Sequence, residues 1–207
     1  MILTFGCYKT VTAMKHILPI LTLTTLTAAA FADASAPAAA ASAGLSYNRV
    51  GVSRVTSQTT LSADYLVSGN VLISAVAGNS DDSHGENTLS LSFGYVFKNV
   101  VSGIDATLSL TNGIGYNQDS GNSALYGINL RRSLGEFVPG LEVAVGYKTT
   151  GSNNKQTELP EAYGVYASSV TTYELAYNIN KQLSVAIGRI DAKDNKALTV
   201  YSLRYNF

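Results

Sequence analysis

The stretch Leu89-Ser90-Leu91-Ser92-Phe93-Gly94-Tyr95-Val96-Phe97-Lys98 alternates without a break: Leu, Leu, Phe, Tyr and Phe fall on one side, and Ser, Ser, Gly, Val and Lys on the other. Successive side chains of a β-strand point to opposite faces, so a period of two over ten residues specifies a strand with one greasy and one small or polar face. The same pattern recurs at Ile104, Ala106, Leu108 and Leu110, which lie opposite Asp105, Thr107 and Ser109. It is found again at Leu141, Val143, Val145 and Tyr147, opposite Glu142, Ala144, Gly146 and Lys148. It returns at Val165, Ala167, Ser169, Thr171, Tyr173, Leu175 and Tyr177, at Leu183, Val185 and Ile187, and ends the chain at Tyr201, Leu203, Tyr205 and Phe207.

Turn residues punctuate these runs. Ser68-Gly69-Asn70, Asn99 to Gly103, Gly135 to Gly140 and Asn178 to Gln182 read as tight connections. Ser53 to Ser57, Asn79 to Glu86, Asn117 to Asn122, Gly151 to Glu161 and Asp191 to Lys196 are more polar and alternate with the first set. The spacing predicts ten strands, at 45–54, 58–67, 71–78, 87–97, 104–114, 123–133, 141–150, 163–177, 183–190 and 197–207, with eight as the alternative count. The first strand has ambiguous facing, because both Tyr47 and the Val50-Gly51-Val52 segment carry apolar side chains.

Composition decides what the greasy face meets. The 207 residues are 46% apolar and only 14% charged, with thirteen Tyr, eighteen Gly, four Pro and no Trp. A soluble sandwich or barrel turns its apolar side chains inward and shows charge outward, and there is too little charge here to cover such a surface. In hydrocarbon every backbone N–H and C=O must be paired within the protein, so strands span a membrane only when the sheet closes. We therefore expect an all-β fold: a closed antiparallel up-and-down transmembrane β-barrel over residues 44–207. Its outer belt is apolar, and its inner face is rich in Ser, Thr, Gly and Asn. Short turns on the periplasmic side and longer polar loops outside suit that reading.

Charges on the inner face are mixed in sign: Asp64, Asp105, Glu142 and Glu174 with Arg131, Lys148 and Arg204. A charge enclosed by a barrel is costly unless it is paired or hydrated, so these seven are expected to cross-link the lumen. Tyr47, Tyr147, Tyr163 and Tyr201 fall toward the outer strand ends, and Tyr65, Phe97, Tyr177, Tyr205 and Phe207 toward the periplasmic ends. They read as two aromatic girdles, with Tyr65, Phe97, Tyr147 and Tyr177 as core members.

The N-terminus carries a targeting pattern. Met14-Lys15-His16 is a short basic region, 17–30 is apolar, and Ala30-Phe31-Ala32 is a small-x-small cleavage site. Residues 1–32 thus read as a signal peptide, with Met14 as an alternative start, and Asp33 to Ala43 as a flexible Ala-rich lead-in. Cys7 is the one cysteine and lies in the segment to be removed, so no disulfide or thiolate metal site is expected. Basic and acidic residues number fourteen each, and two of the basic ones, Lys9 and Lys15, also lie there, which leaves the exported chain slightly acidic. With no basic cluster, nucleic-acid binding is excluded.

The end of the chain carries a family likeness. Thr199, Tyr201, Leu203, Tyr205 and the terminal Phe207 resemble the C-terminal strand of small Gram-negative outer-membrane β-barrels of the porin-like kind. The resemblance implies an outer-membrane location, contact with membrane lipid and lipopolysaccharide, and recognition of Tyr201, Leu203, Tyr205 and Phe207 by the barrel-assembly machinery. It implies no substrate.

Asp81-Asp82-Ser83-His84-Gly85-Glu86 gathers the residue types of a reactive site on one polar loop. A Ser, a His and carboxylates are the ingredients of a hydrolase, yet neighbours on one short loop are not held in hydrogen-bonded order. The three carboxylates fit no calcium-loop spacing, and Gly113-Ile114-Gly115 lacks a phosphate-binding pattern and its helix. The expectation is a monomeric, non-enzymatic barrel without cofactor or metal, its lumen largely filled and its role structural or surface-interacting. The alternatives are a narrow channel for ions or small solutes, a lipid-modifying enzyme centred on His84, and a soluble secreted sandwich.

Overall fold

The computed structural model describes residues 45–55, 58–80, 88–115, 124–151, 157–158 and 166–207. The chain divides into two units, Met1–Pro37 and Ala38–Phe207, and the described residues belong to the second. The signal and lead-in segments, the Asp81–Glu86 group, Gly164, Val165 and Tyr163 lie outside the described residues.

Twelve strands occur among the described residues: β1 (Arg49–Val55), β2 (Gln58–Ser68), β3 (Val71–Ser80), β4 (Thr88–Val101), β5 (Ile104–Gly115), β6 (Ala124–Ser133), β7 (Leu141–Thr149), β8 (Thr157–Glu158), β9 (Tyr166–Ala167), β10 (Ser169–Asn178), β11 (Leu183–Ala192) and β12 (Leu198–Asn206). Ten of them form a closed barrel in the order β1-β2-β3-β4-β5-β6-β7-β10-β11-β12, and β8 pairs with β9 as a separate small ribbon. Every barrel pairing is antiparallel. Closure is made by β1 against β12, from Arg49 opposite Asn206 to Val55 opposite Val200. Among the described residues the barrel sheet itself therefore has no open edge.

Turn chemistry sets the registers at one mouth. Ser102 and Gly103 both have positive φ, 46° and 77°, which is the primed turn that matches the twist of flanking strands. Ahead of it β4 bulges between Phe97 and Val101. Asn99, at φ 51°, holds that irregularity by accepting from the Gly103 amide at 2.8 Å, while its own amide donates to Asp105 at 2.8 Å. The strand therefore runs four residues beyond the expected end at 97. β3, β5 and β11 also reach further than expected, to 80, 115 and 192, because backbone pairing continues after the side chains have become polar.

Gly140 closes the β6–β7 connection at φ 84°, and a Cβ placed there would lie 2.7 Å from the backbone oxygen of Asn178. Gly69 has φ 55° and nothing within 4 Å. Replacing Gly140 by alanine is expected to cost about 1–3 kcal/mol through strain at the wall, and replacing Gly69 about 1 kcal/mol from backbone conformation alone. Urea unfolding of the two variants in lipid vesicles checks the order, and equal midpoints would contradict it.

Two expectations are corrected. The first strand starts at Arg49 rather than 45, because the residues before Asn48 leave the wall. The expected strand at 163–177 is β10 at 169–178, because the chain bends at Ser168. Ala167, expected on the greasy outer face, is fully buried next to Val170, Ile190 and Ala192.

Candidate functional site

The exterior belt is made of the alternating residues identified above. Phe93, Leu108, Leu110, Tyr126, Leu175, Ile187 and Leu203 are all exposed. Their neighbours along each strand, such as Ser90, Thr107, Thr111, Arg131, Glu142 and Ser184, are buried. A sheet that exposes its aromatic and aliphatic side chains and buries its hydroxyls and charges is inside-out relative to a protein in water. Tyr65, Phe97, Tyr147 and Tyr177 face outward, and Tyr65 stacks on Phe207 at 6.5 Å between ring centroids.

Inside, the seven charged residues singled out from sequence sit on the inner face at different depths. Near the tight-turn mouth, Arg131 of β6 donates through Nη2 to Glu142 Oε2 at 3.0 Å, and Glu142 Oε1 accepts from Asn178 at 2.7 Å. The two strands are neighbours, and the pair is almost wholly enclosed. Asp64 of β2 is held by Arg49 Nε at 2.6 Å. Arg49 stands directly opposite it on β1. Further in, Arg204 of β12 grips Glu174 of β10 with both terminal guanidinium nitrogens, Nη1 at 2.6 Å from Oε1 and Nη2 on Oε2. Glu174 crosses β11 at Gly188, its neighbour in register, where there is no side chain in the way. Asp105 accepts from the Tyr47 hydroxyl at 2.7 Å. Lys148 lines the lumen above Gly127.

Arg49 was not singled out from sequence. Its signal was available in the register: it lies two residues before inward-facing Gly51 and opposite Asp64. Tyr47, expected in the outer girdle, is corrected. It is 7% exposed and points into the lumen, with the guanidinium carbon of Arg131 4.9 Å from its ring centroid. The hydroxyl explains the placement, since a phenol can donate to a half-buried carboxylate and offer a ring face to a cation.

Between these charged layers lies a cavity of about 290 Å³ lined in part by the hydroxyls of Ser62, Ser74, Ser92, Ser109, Thr172 and Ser202. Glycines keep it open: a Cβ at Gly146 would lie 2.5 Å from Thr172 Oγ1, and one at Gly127 2.6 Å from Ser109 Oγ. At the loop mouth the inner face turns apolar, where Leu125, Ala167, Val170, Ile190 and Ala192 pack together with Leu198 and Val200 against them. The expectation of hydroxyls and amides throughout the interior therefore holds for the middle of the barrel and not for that end.

The fold is a membrane-type β-barrel, greasy outside and polar within. Among solved structures the chain is similar to the KdgM porin, at 12% identity and a TM-score of 0.46, covering 77% of this chain and 98% of that one. It is similar to the NanC porin at 9% identity and a TM-score of 0.44, with the same coverage. A third likeness is to OccAB4 of Acinetobacter baumannii, at 13% identity and a TM-score of 0.30, covering 72% of this chain and 44% of that one. No protein-family model matches the sequence, and no curated protein matches it. Among the described residues no group of three or more His, Cys, Asp or Glu is placed to hold a metal ion.

Proposed function

We propose that the protein is an outer-membrane channel of narrow bore that passes ions and small hydrophilic solutes. The observation that carries this reading is the cavity of about 290 Å³, lined by hydroxyls and balanced charges together with aliphatic side chains such as Leu72 and Val76, inside a barrel whose outside is greasy. A wall built only to fill itself would pack large side chains at those positions, as eight-stranded barrels do. Here Gly127 and Gly146 stand where larger residues would collide with the lining.

The paired charges tune such a bore. Each arginine in the lower lumen has a carboxylate partner, so neither sign dominates, and hydrated solutes meet a lining that offers both donors and acceptors. The reading assigns no reaction to the barrel. It makes Tyr201, Leu203, Tyr205 and Phe207 the signal read by the assembly machinery, and places the belt against membrane lipid and lipopolysaccharide, with the barrel working as a monomer.

Planar-bilayer recording of the refolded protein tests this. Small, discrete, persistent current steps are expected. Membranes that stay silent while the protein shows heat-modifiable migration, the sign of an intact barrel, would return it to a structural or surface-interaction role with a blocked lumen. The second reading has its own observation, the charged layer and apolar cluster that narrow the two ends of the lumen.

A further inference from the structure

In a ring of ten strands ordered β1-β2-β3-β4-β5-β6-β7-β10-β11-β12, β6 stands diametrically opposite β1. Residues 45–48 lead into β1, so a segment that stayed with the wall would touch only β2, β12 and the chain end. Ser46 and Tyr47 do otherwise. The carbonyl of Ser46 accepts from Arg131 Nη1 of β6 at 3.0 Å, the Tyr47 hydroxyl donates to Asp105 of β5 at 2.7 Å, and Arg131 lies over the Tyr47 ring. For ten strands tilted at about 40° and spaced about 4.8 Å apart, the backbone-to-backbone width is of the order of 20 Å. One tyrosine and one arginine reaching toward each other from opposite walls bridge most of that gap.

The hinge of this crossing is Asn48. Its side-chain oxygen accepts from the Leu66 amide at 2.8 Å, and its carbonyl accepts from the Phe207 amide at 3.0 Å. The chain is thereby stapled to β2 on one side and to the C-terminus on the other, and only the residues before it swing inward. The landing site is equally fixed, because the second arm of Arg131 is held by Glu142, which is held in turn by Asn178. Asp105 is pinned by the Asn99 amide. The far wall is prebuilt to receive the tyrosine, and the tyrosine adds one hydrogen bond and one ring contact that can be broken without disturbing any strand pairing.

We propose that Ser46-Tyr47 forms a crossbar over the tight-turn mouth of the lumen, landing on Asp105 and Arg131, and that it sets how freely water and solute pass between that mouth and the cavity. The proposal deepens the channel reading and rests on it for its role in conduction, while the closure itself can be read without any current.

The test uses the full chain with Cys7→Ser and Ser109→Cys, which places one thiol on the cavity wall. Its rate of reaction with a small water-soluble methanethiosulfonate is compared for Tyr47, Tyr47→Phe and Tyr47→Ala, in refolded protein whose heat-modifiable migration is intact. Tyr47→Ala is expected to react at least about tenfold faster, since access is governed by how often the mouth is open. Tyr47→Phe, which keeps the ring on Arg131 and loses the bond to Asp105, should fall between. Single-channel steps of the same variants should grow in the same order. Faster modification in membranes that remain silent would uphold the crossbar and end the channel reading. Current in the parent with unchanged modification and unchanged steps in Tyr47→Ala would keep the channel and overturn the crossbar. If Tyr47→Ala fails to fold, Tyr47→Phe and Asp105→Ala, each of which removes one end of the hydroxyl–carboxylate bond, are read against the parent by the same rate, and no acceleration in either overturns the proposal.

Discussion

Truncating Glu142 to alanine is expected to destabilise the folded barrel by about 3–5 kcal/mol, the cost of leaving a buried charge without its partner. Arg131 is 6% exposed, and its Nη2 has Glu142 as acceptor at 3.0 Å. Removing the carboxylate also strands the Asn178 amide, which donates to its other oxygen at 2.7 Å. Glu142→Gln keeps the volume and one acceptor oxygen, so it can satisfy only one of the two donors that Glu142 satisfies, and it should cost less than alanine but more than nothing. The pair as a whole is a different matter. Arg131→Met combined with Glu142→Leu exchanges two desolvated ions for apolar volume and should regain most of the loss, short of what Arg131 gives to Ser46 and Tyr47. Urea unfolding in lipid vesicles at neutral pH measures all three. A loss in Glu142→Ala below about 1 kcal/mol, the range of an exposed pair, would mean that lumen water already screens this layer.

Which parts of this could be read from the chain depends on how far each feature is set by local alternation. The belt was legible because a lipid-facing strand repeats every second residue, as β4 does from Leu89 to Phe97, β5 from Ile104 to Leu110, β7 from Leu141 to Tyr147 and β12 from Tyr201 to Tyr205. β1 was not, because Val50 and Val52 on one face and Gly51 and Val55 on the other are all small or apolar. Its facing is decided only when Arg49 meets Asp64 on one side and Asn206 on the other, a long-range register that one strand does not encode. Tyr47 was misplaced for the same reason: an aromatic near a strand end has the signature of a girdle residue, and nothing local reveals that the backbone turns inward before Asn48. The inward position of Glu174 could be read from its strand. The inward position of Arg204 could be read too, but not that it is the partner of Glu174, since the two lie two strands apart with glycine between them. The bend at Ser168 likewise carries no local mark, and alternation read straight through it put Ala167 on the wrong side.

The exterior belt makes the second large expectation, and its sign alone separates lipid from water as the surrounding medium. Phe93 lies near the middle of β4, 59% exposed, flanked across the sheet by Ile73 and Leu110. On a protein in water, arginine at such a site would relieve an exposed apolar patch, and the change would be neutral or favourable. At the midplane of a bilayer the same guanidinium must be dragged toward a headgroup or hydrated through a defect, at a cost of about 2–4 kcal/mol. Tyr126, 60% exposed near the loop end of β6, sits at the expected headgroup depth, and arginine there should cost only about 0–1 kcal/mol. Phe93→Arg and Tyr126→Arg are therefore expected to differ by a large fraction of the total effect when unfolded from vesicles by urea. Because both sites are comparably exposed, surface area does not explain such a difference, and depth in hydrocarbon does. Equal, small effects at the two sites would mean that the belt faces water, and with that the inside-out arrangement of the whole barrel would lose its physical reason.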